Sequence, residues 1–132
     1  MKWLSVKKPL TLNDIEKIER DLSVCLPVDY KRLIGPINGG ALKDAYVNVP
    51  GLGSVPYSRN VSLSKDSPAN IYLLLPAVND KAIRYFPFAG VGNGDYFCFD
   101  LLNDCVVLRM HETNRVFPVC RSFSELINHI QS

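Results

Sequence analysis

The sequence predicts an α+β domain in which a central antiparallel sheet is flanked by N-terminal helices and a C-terminal helix. Three observations carry that expectation: capped amphipathic helical patterns at both ends of the chain, short alternating runs through its middle, and a hairpin signal over 95–110. With 132 residues, 47% of them hydrophobic, the chain matches one ordinary domain, 1–132. A chain of that size needs neither metal nor disulfide to hold a core.

The first helix is expected from about Asn13. Thr11 and Asn13 are each followed three positions on by an acid, Asp14 and Glu16, which is the capping-box spacing. Leu12, Ile15, Ile18 and Leu22 then recur at helical intervals. Leu26-Pro27 stops this helix, because the ring disfavours helical geometry at the residue before it, and Pro27 suits the first turn of a second. That second helix runs over Val28–Ile34 and offers Tyr30, Leu33 and Ile34 to the core, with Gly35-Pro36 ending it.

Asn38-Gly39-Gly40 reads as a turn, followed by short strands at 45–49 and near Val55. The stretch 57–70, rich in Ser, Asn and Lys, reads as a long connection. Ile71 to Leu75 has the apolar run of a buried strand, and a buried helical turn would look the same. Tyr85 to Ala89 is another strand, in which Pro87 favours an edge or a bulge. Gly90 to Gly94 must supply positive backbone dihedrals, and Tyr96 to Leu101 alternates as a half-buried strand. It pairs with Cys105 to Met110 around Leu102-Asn103-Asp104, and Val116 to Cys120 adds a strand. Ser122 with Glu125 three residues on, then Phe123, Leu126, Ile127 and Ile130, marks the last helix.

Several function classes are disfavoured by composition. Fifteen basic and 13 acidic residues give a net charge of +2, too balanced to advertise direct nucleic-acid binding. No apolar run has the length of a signal-peptide core or a membrane span, so a cytoplasmic location is expected, away from membranes. Cys25, Cys98, Cys105 and Cys120 then read as free thiols filling the core, in no zinc-finger spacing.

Candidate chemistry is sparse. The glycines of 90–94 open a strand and no helix, and no Lys-Ser or Lys-Thr follows them, so a phosphate loop is disfavoured. Asp95 and Asp100 lie on one strand, roughly 17 Å apart at about 3.4 Å per residue and on opposite faces, which does not suit a paired acid and base. Turn chemistry explains both: Asp95 bonds nearby amides, and Asp100 caps the 102–104 turn. His111-Glu112 lacks the second histidine of a zinc-protease motif, and His129 reads as solvent-exposed. No catalytic, cofactor-binding or metal-binding residue emerges, and an enzyme is not expected. Loops on a rigid scaffold commonly carry recognition. Tyr57, Arg59, Asn60, Lys65, Asp66 and Asn93 are therefore the candidate partner-contact residues.

These residues also resemble one family. Ile15 to Leu22, then Leu26-Pro27 and Tyr30 through Leu33, then Asn38-Gly39-Gly40, resemble the N-terminal signature of the SMI1/KNR4 (SUKH) superfamily. Phe88-Ala89, Gly94-Asp95 through Asp100, and Val107 to Glu112 resemble its middle signature, and Ser122 to Leu126 its closing helix. The chain departs from the pattern at Leu33, where an aromatic is common, and at the inserted Gly35-Pro36. The resemblance implies an SMI1/KNR4-like fold and a bacterial immunity protein that binds and neutralises a cognate toxin, often a nuclease, without catalysis or cofactor. The alternative it implies is a regulatory or scaffold interaction module, as in fungal members, whose long disordered extensions have no counterpart here. Neither the toxin nor the oligomeric state is legible in the sequence.

Overall fold

The computed structural model describes residues 1–131, which hold four α-helices and seven strands in two antiparallel sheets. Helix α1 covers Leu12–Leu22 and α2 covers Val28–Ile34, with a 3-10 turn at Gly35–Ile37. Strands β1 (Tyr46–Val49) and β2 (Gly53–Pro56) form a separate hairpin. Strands β3 (Arg59–Asn60), β4 (Tyr85–Gly90), β5 (Tyr96–Asp100), β6 (Cys105–Arg109) and β7 (Val116–Cys120) form the main sheet, each beside its chain neighbour. Helix α3 (Ile71–Val78) lies between β3 and β4 in the chain, and α4 (Phe123–Asn128) closes it.

Thr11 is the cap that α1 uses: its hydroxyl accepts from Asp14 N at 3.1 Å, and Asp14 Oδ2 accepts from Thr11 N at 2.9 Å. The helix ends before Pro27 is reached, because Ser23 adopts a left-handed conformation (φ 56°). Glu19 then bridges to the next element, accepting from Leu26 N at 2.8 Å and from Lys31 Nζ at 3.1 Å. That bridge gives the Leu26-Pro27 corner a partner for the amide that no helix satisfies. Gly35 is demanded by a close approach, since a Cβ there would lie 2.4 Å from the Leu10 carbonyl oxygen.

The core face of the sheet is aromatic. Tyr30 of α2 meets Phe99 and Phe123 edge-on, with ring centroids 5.0 and 5.1 Å away, and Phe88 stacks on Phe99 at 4.3 Å. Such rings contribute large apolar area plus about 0.5–1.5 kcal/mol per favourable pair. Asp29 locks the two helices above them, its Oδ2 accepting from both Ser124 N and Ser124 Oγ at 2.9 Å. Ser122 caps α4 by accepting from Glu125 N, but Glu125 reaches back to Arg121 N, so only half of the expected capping box forms.

Four expectations need correction, and one left open between strand and helical turn is decided. Ile71 to Leu75 is helical: Asn70 Oδ1 accepts from Leu73 N at 3.2 Å and starts a helix that runs on through Pro76. Strand β5 is buried on both faces, because Cys98 and Asp100 are as enclosed as Phe97 and Phe99. Leu33 faces solvent while its neighbours Tyr30 and Ile34 fill the core. Cys25 is exposed, and Cys105 and Cys120 only half-buried, leaving Cys98 as the one core thiol among the described cysteines. The long connection contains the short strand β3. Pro87 does mark a bulge, since the register between β4 and β5 shifts between Pro87 and Ala89.

Candidate functional site

The two ends of β5 hold the carboxylates singled out by sequence. At the far end, Asp100 is 3% exposed and saturated. Arg84 donates to it as a fork, Nε to Oδ1 at 3.2 Å and Nη2 to Oδ2 at 3.1 Å. Leu102 N, Asn103 N and Asn103 Nδ2 add three more donors. Desolvation pushes the Asp100 carboxyl up, but Arg84 and these turn donors together hold it below its ordinary value. Asp100 is thus the turn-capping acceptor the sequence suggests.

At the near end, Gly92 and Gly94 take φ values of 110° and 98°, as the glycine-rich turn requires, and Asn93 Oδ1 accepts from Asp95 N at 3.0 Å. Asp95 itself bonds across the sheet and not locally. Its Oδ1 accepts from His111 N at 3.0 Å and lies 2.6 Å from His111 Nδ1. Sequence reasoning missed this pair because β5 and β6 bring together residues that are 16 positions apart. The Nε2 of His111 is 4.0 Å from Glu112 Oε1. Among the described residues, the His111 ring hydrogen-bonds to Asp95 and to no hydroxyl or thiol that it could activate. Burial pushes the Cys98 thiol up to about 12 and the Cys120 thiol to about 11, the wrong direction for a nucleophile at neutral pH. Among the described residues, no three His, Cys, Asp or Glu side chains group closely enough to hold a metal ion.

The Asn38-Gly39-Gly40 turn is interior. Asn38 Oδ1 accepts from Leu63 N at 2.9 Å, while its Nδ2 donates to Lys8 O and Ser64 Oγ at 3.3 and 3.2 Å. Beside it, Asn60 Nδ2 donates to Ile37 O at 3.0 Å, and the Tyr57 hydroxyl donates to Asn60 Oδ1. Tyr57 and Asn60 are therefore withdrawn as contact residues: both are buried, and their polar atoms are consumed inside the protein.

The other four candidate contacts are exposed but not contiguous. Arg59 lines a cleft of about 280 Å³ with Gly90, Gly92, Gly94, Asp95 and Tyr96, beside the turn that carries Asn93. Lys65 and Asp66 line a different cleft, against Asp14 and Lys17 of α1, and the Lys65 ammonium lies 4.6 Å above the Tyr72 ring. A third cleft, of about 300 Å³, opens between the 25–28 corner and the 99–105 hairpin end.

The main sheet is an antiparallel meander with helices packed against it. The model of the SMI1 / KNR4 family (SUKH-1) matches residues 9–129, and the chain belongs to that family. No curated protein and no solved structure matches the chain. Family membership supports protein–protein interaction as the mode of action. No helix among the described residues is long and apolar enough to cross a membrane.

Proposed function

We propose that this chain is an immunity protein: it binds one cognate toxin, with a polymorphic nuclease toxin as the leading class, and neutralises it by stoichiometric occlusion without catalysis. The observation that carries this reading is the family match over nearly the whole chain, 9–129. It is supported by the fate of the titratable groups. Asp100 is held by Arg84 and its own turn, Asp95 by His111, and the Tyr57 hydroxyl by Asn60, so each spends its chemistry on the scaffold. A binder needs that rigidity and an exposed complementary patch, whereas an enzyme needs titratable groups left free to act.

The test is co-production with proteins encoded by genes beside this one. Rescue of toxin-arrested cells, together with a 1:1 complex on size-exclusion chromatography, is the expected result. Failure to associate and failure to rescue would overturn the reading. Binding to a host protein when no toxin is made would place the chain among regulatory modules instead.

A further inference from the structure

The register of the main sheet lines up one row across all five strands: Arg59, Gly90, Tyr96, Arg109 and Val116 are successive cross-strand partners. Directly paired residues share a face. Arg59 points away from the core, because its neighbour Asn60 points inward to Ile37 and Tyr57. The row therefore crosses the outer face, opposite the aromatic core, with Arg59 and Arg109 about 14 Å apart at about 4.8 Å per strand. Alongside runs a second, apolar row in which Pro87, Cys98 and Val107 are already buried and Pro118 is exposed.

We infer that this face is the docking surface, and that its occupant is an acidic patch of the partner protein whose carboxylates meet Arg59 and Arg109 on either side of Tyr96. The inference rests on the immunity-protein reading and names the surface and partner chemistry for it.

Three observations carry it. First, neither guanidinium pairs with a carboxylate among the described residues; Arg109 Nη2 donates to the Asn114 amide at 2.9 Å, and the cleft's one carboxylate, Asp95, already holds His111. Second, Arg and Tyr are the side chains that most often anchor interfaces, and Arg59, Arg109 and Tyr96 all keep part of their surface exposed. Third, Gly90 leaves a notch between Arg59 and Tyr96 that the backbone does not demand. Its φ is outside the left-handed region, and a Cβ there would meet only ordinary contacts, 3.5 Å to Tyr96 Cε1 and 4.0 Å to Arg59 O. A partner side chain can occupy that space.

Other occupants fit less well. A second copy of the chain would set arginine against arginine across a two-fold axis. Nucleic acid would gain only about two phosphate contacts, against the 6–10 of ordinary binders. An acidic protein surface satisfies both guanidiniums and uses the notch.

The test measures binding of the toxin identified by co-production to wild type and to three variants, Arg59→Glu, Arg109→Glu and Gly90→Ala. Each charge reversal is expected to weaken binding by about 100-fold or more, and Gly90→Ala by about 10-fold. Each variant should keep the wild-type melting temperature, and Arg32→Glu on the exposed side of α2 should bind normally. Reversing a partner Asp or Glu should rescue Arg59→Glu. If wild type binds and all three variants bind equally well, this surface is wrong while the immunity reading stands. If wild type binds no neighbouring gene product, that reading fails, and a displayed peptide library sorted on the purified chain decides the surface. Acid-rich peptides lost on Arg59→Glu support it; peptides without acidic enrichment, or retained by Arg59→Glu, overturn it. Duplex DNA bound by wild type and lost by Arg59→Glu, or a dimer abolished by Arg59→Glu, would likewise overturn the acidic-protein assignment.

Discussion

Asn38-Gly39 and Asn93-Gly94 are the same dipeptide put to opposite uses. Asn38 is fully enclosed and spends both ends of its carboxamide on Leu63, Lys8 and Ser64, joining three chain segments. Asn93 is exposed and makes one local bond, accepting from Asp95 N. Sequence alone marks both as turns, since Asn and Gly tolerate positive φ wherever they occur. What separates them is the number of buried polar atoms that depend on each side chain. A buried polar group is costly only when it lacks partners.

The sharpest break of that comparison is a pair of alanine variants. Asn38→Ala strands Leu63 N in the interior and removes the part-buried bonds to Lys8 O and Ser64 Oγ, and we expect a loss of about 3 kcal/mol in urea unfolding. Asn93→Ala should fall within about 0.5 kcal/mol of wild type, as exposed substitutions do. Equal losses at the two sites would mean that burial does not distinguish the turns.

Gly39→Ala sharpens the same contrast through the backbone. Gly39 has φ 69°, and a Cβ would lie 2.4 Å from Lys7 Cγ. The left-handed strain costs at least about 1–2 kcal/mol, and relieving the clash also needs a shift at the base of the Lys7 side chain. A loss in that range, measured by thermal melting beside Asn38→Ala, would rank the carboxamide above the dihedral.

The same distinction explains what could be read from the sequence and what could not. The Val28–Ile34 helix, the 96–109 hairpin and the Pro87 bulge were legible because their signals are local: a proline start, strict alternation, a turn of Asn and Asp. The 71–78 helix was not, because its apolar run lacks a polar face and Pro76 argues against a helix. Its one local signal was Asn70, a cap residue directly before the run. Tyr57 and Asn60 were misplaced for a non-local reason. The Ser- and Asn-rich composition of 57–70 suggests a solvated connection, yet Asn60, Ser62, Ser67 and Asn70 are buried and bonded inside the protein. The Arg59–Arg109 row needed the register of three strand pairs, which no single segment encodes.

Asp100 offers an intermediate case, a buried carboxylate whose chief partner, Arg84, is partly exposed. Its folded pKa lies below the unfolded value near 3.8. The linkage therefore adds stability above that pH and loses it as pH falls through the folded pKa. Solvent around Arg84 screens the pair, so Asp100→Asn should cost only about 1 kcal/mol at pH 7. The gap to wild type should close in urea titrations at progressively lower pH. A gap that is constant with pH would show that Asn103 and Leu102, and not the charge on Asp100, set the stability of the turn.

Tyr30 completes the series from the other side. Its ring packs against Phe86, Phe99 and Phe123, its buried hydroxyl has no hydrogen-bond partner among the described residues, and burial alone pushes its pKa up. Removing a polar atom that has no partner strands nothing, the reverse of Asn38. Tyr30→Phe keeps every ring contact and should leave stability unchanged or raise it by up to about 1 kcal/mol. A melting temperature clearly below wild type would mean that the hydroxyl has a partner, such as an ordered water in the aromatic core. The rule drawn from the two Asn-Gly turns would then hold at Tyr30 as well, with that water as the missing partner.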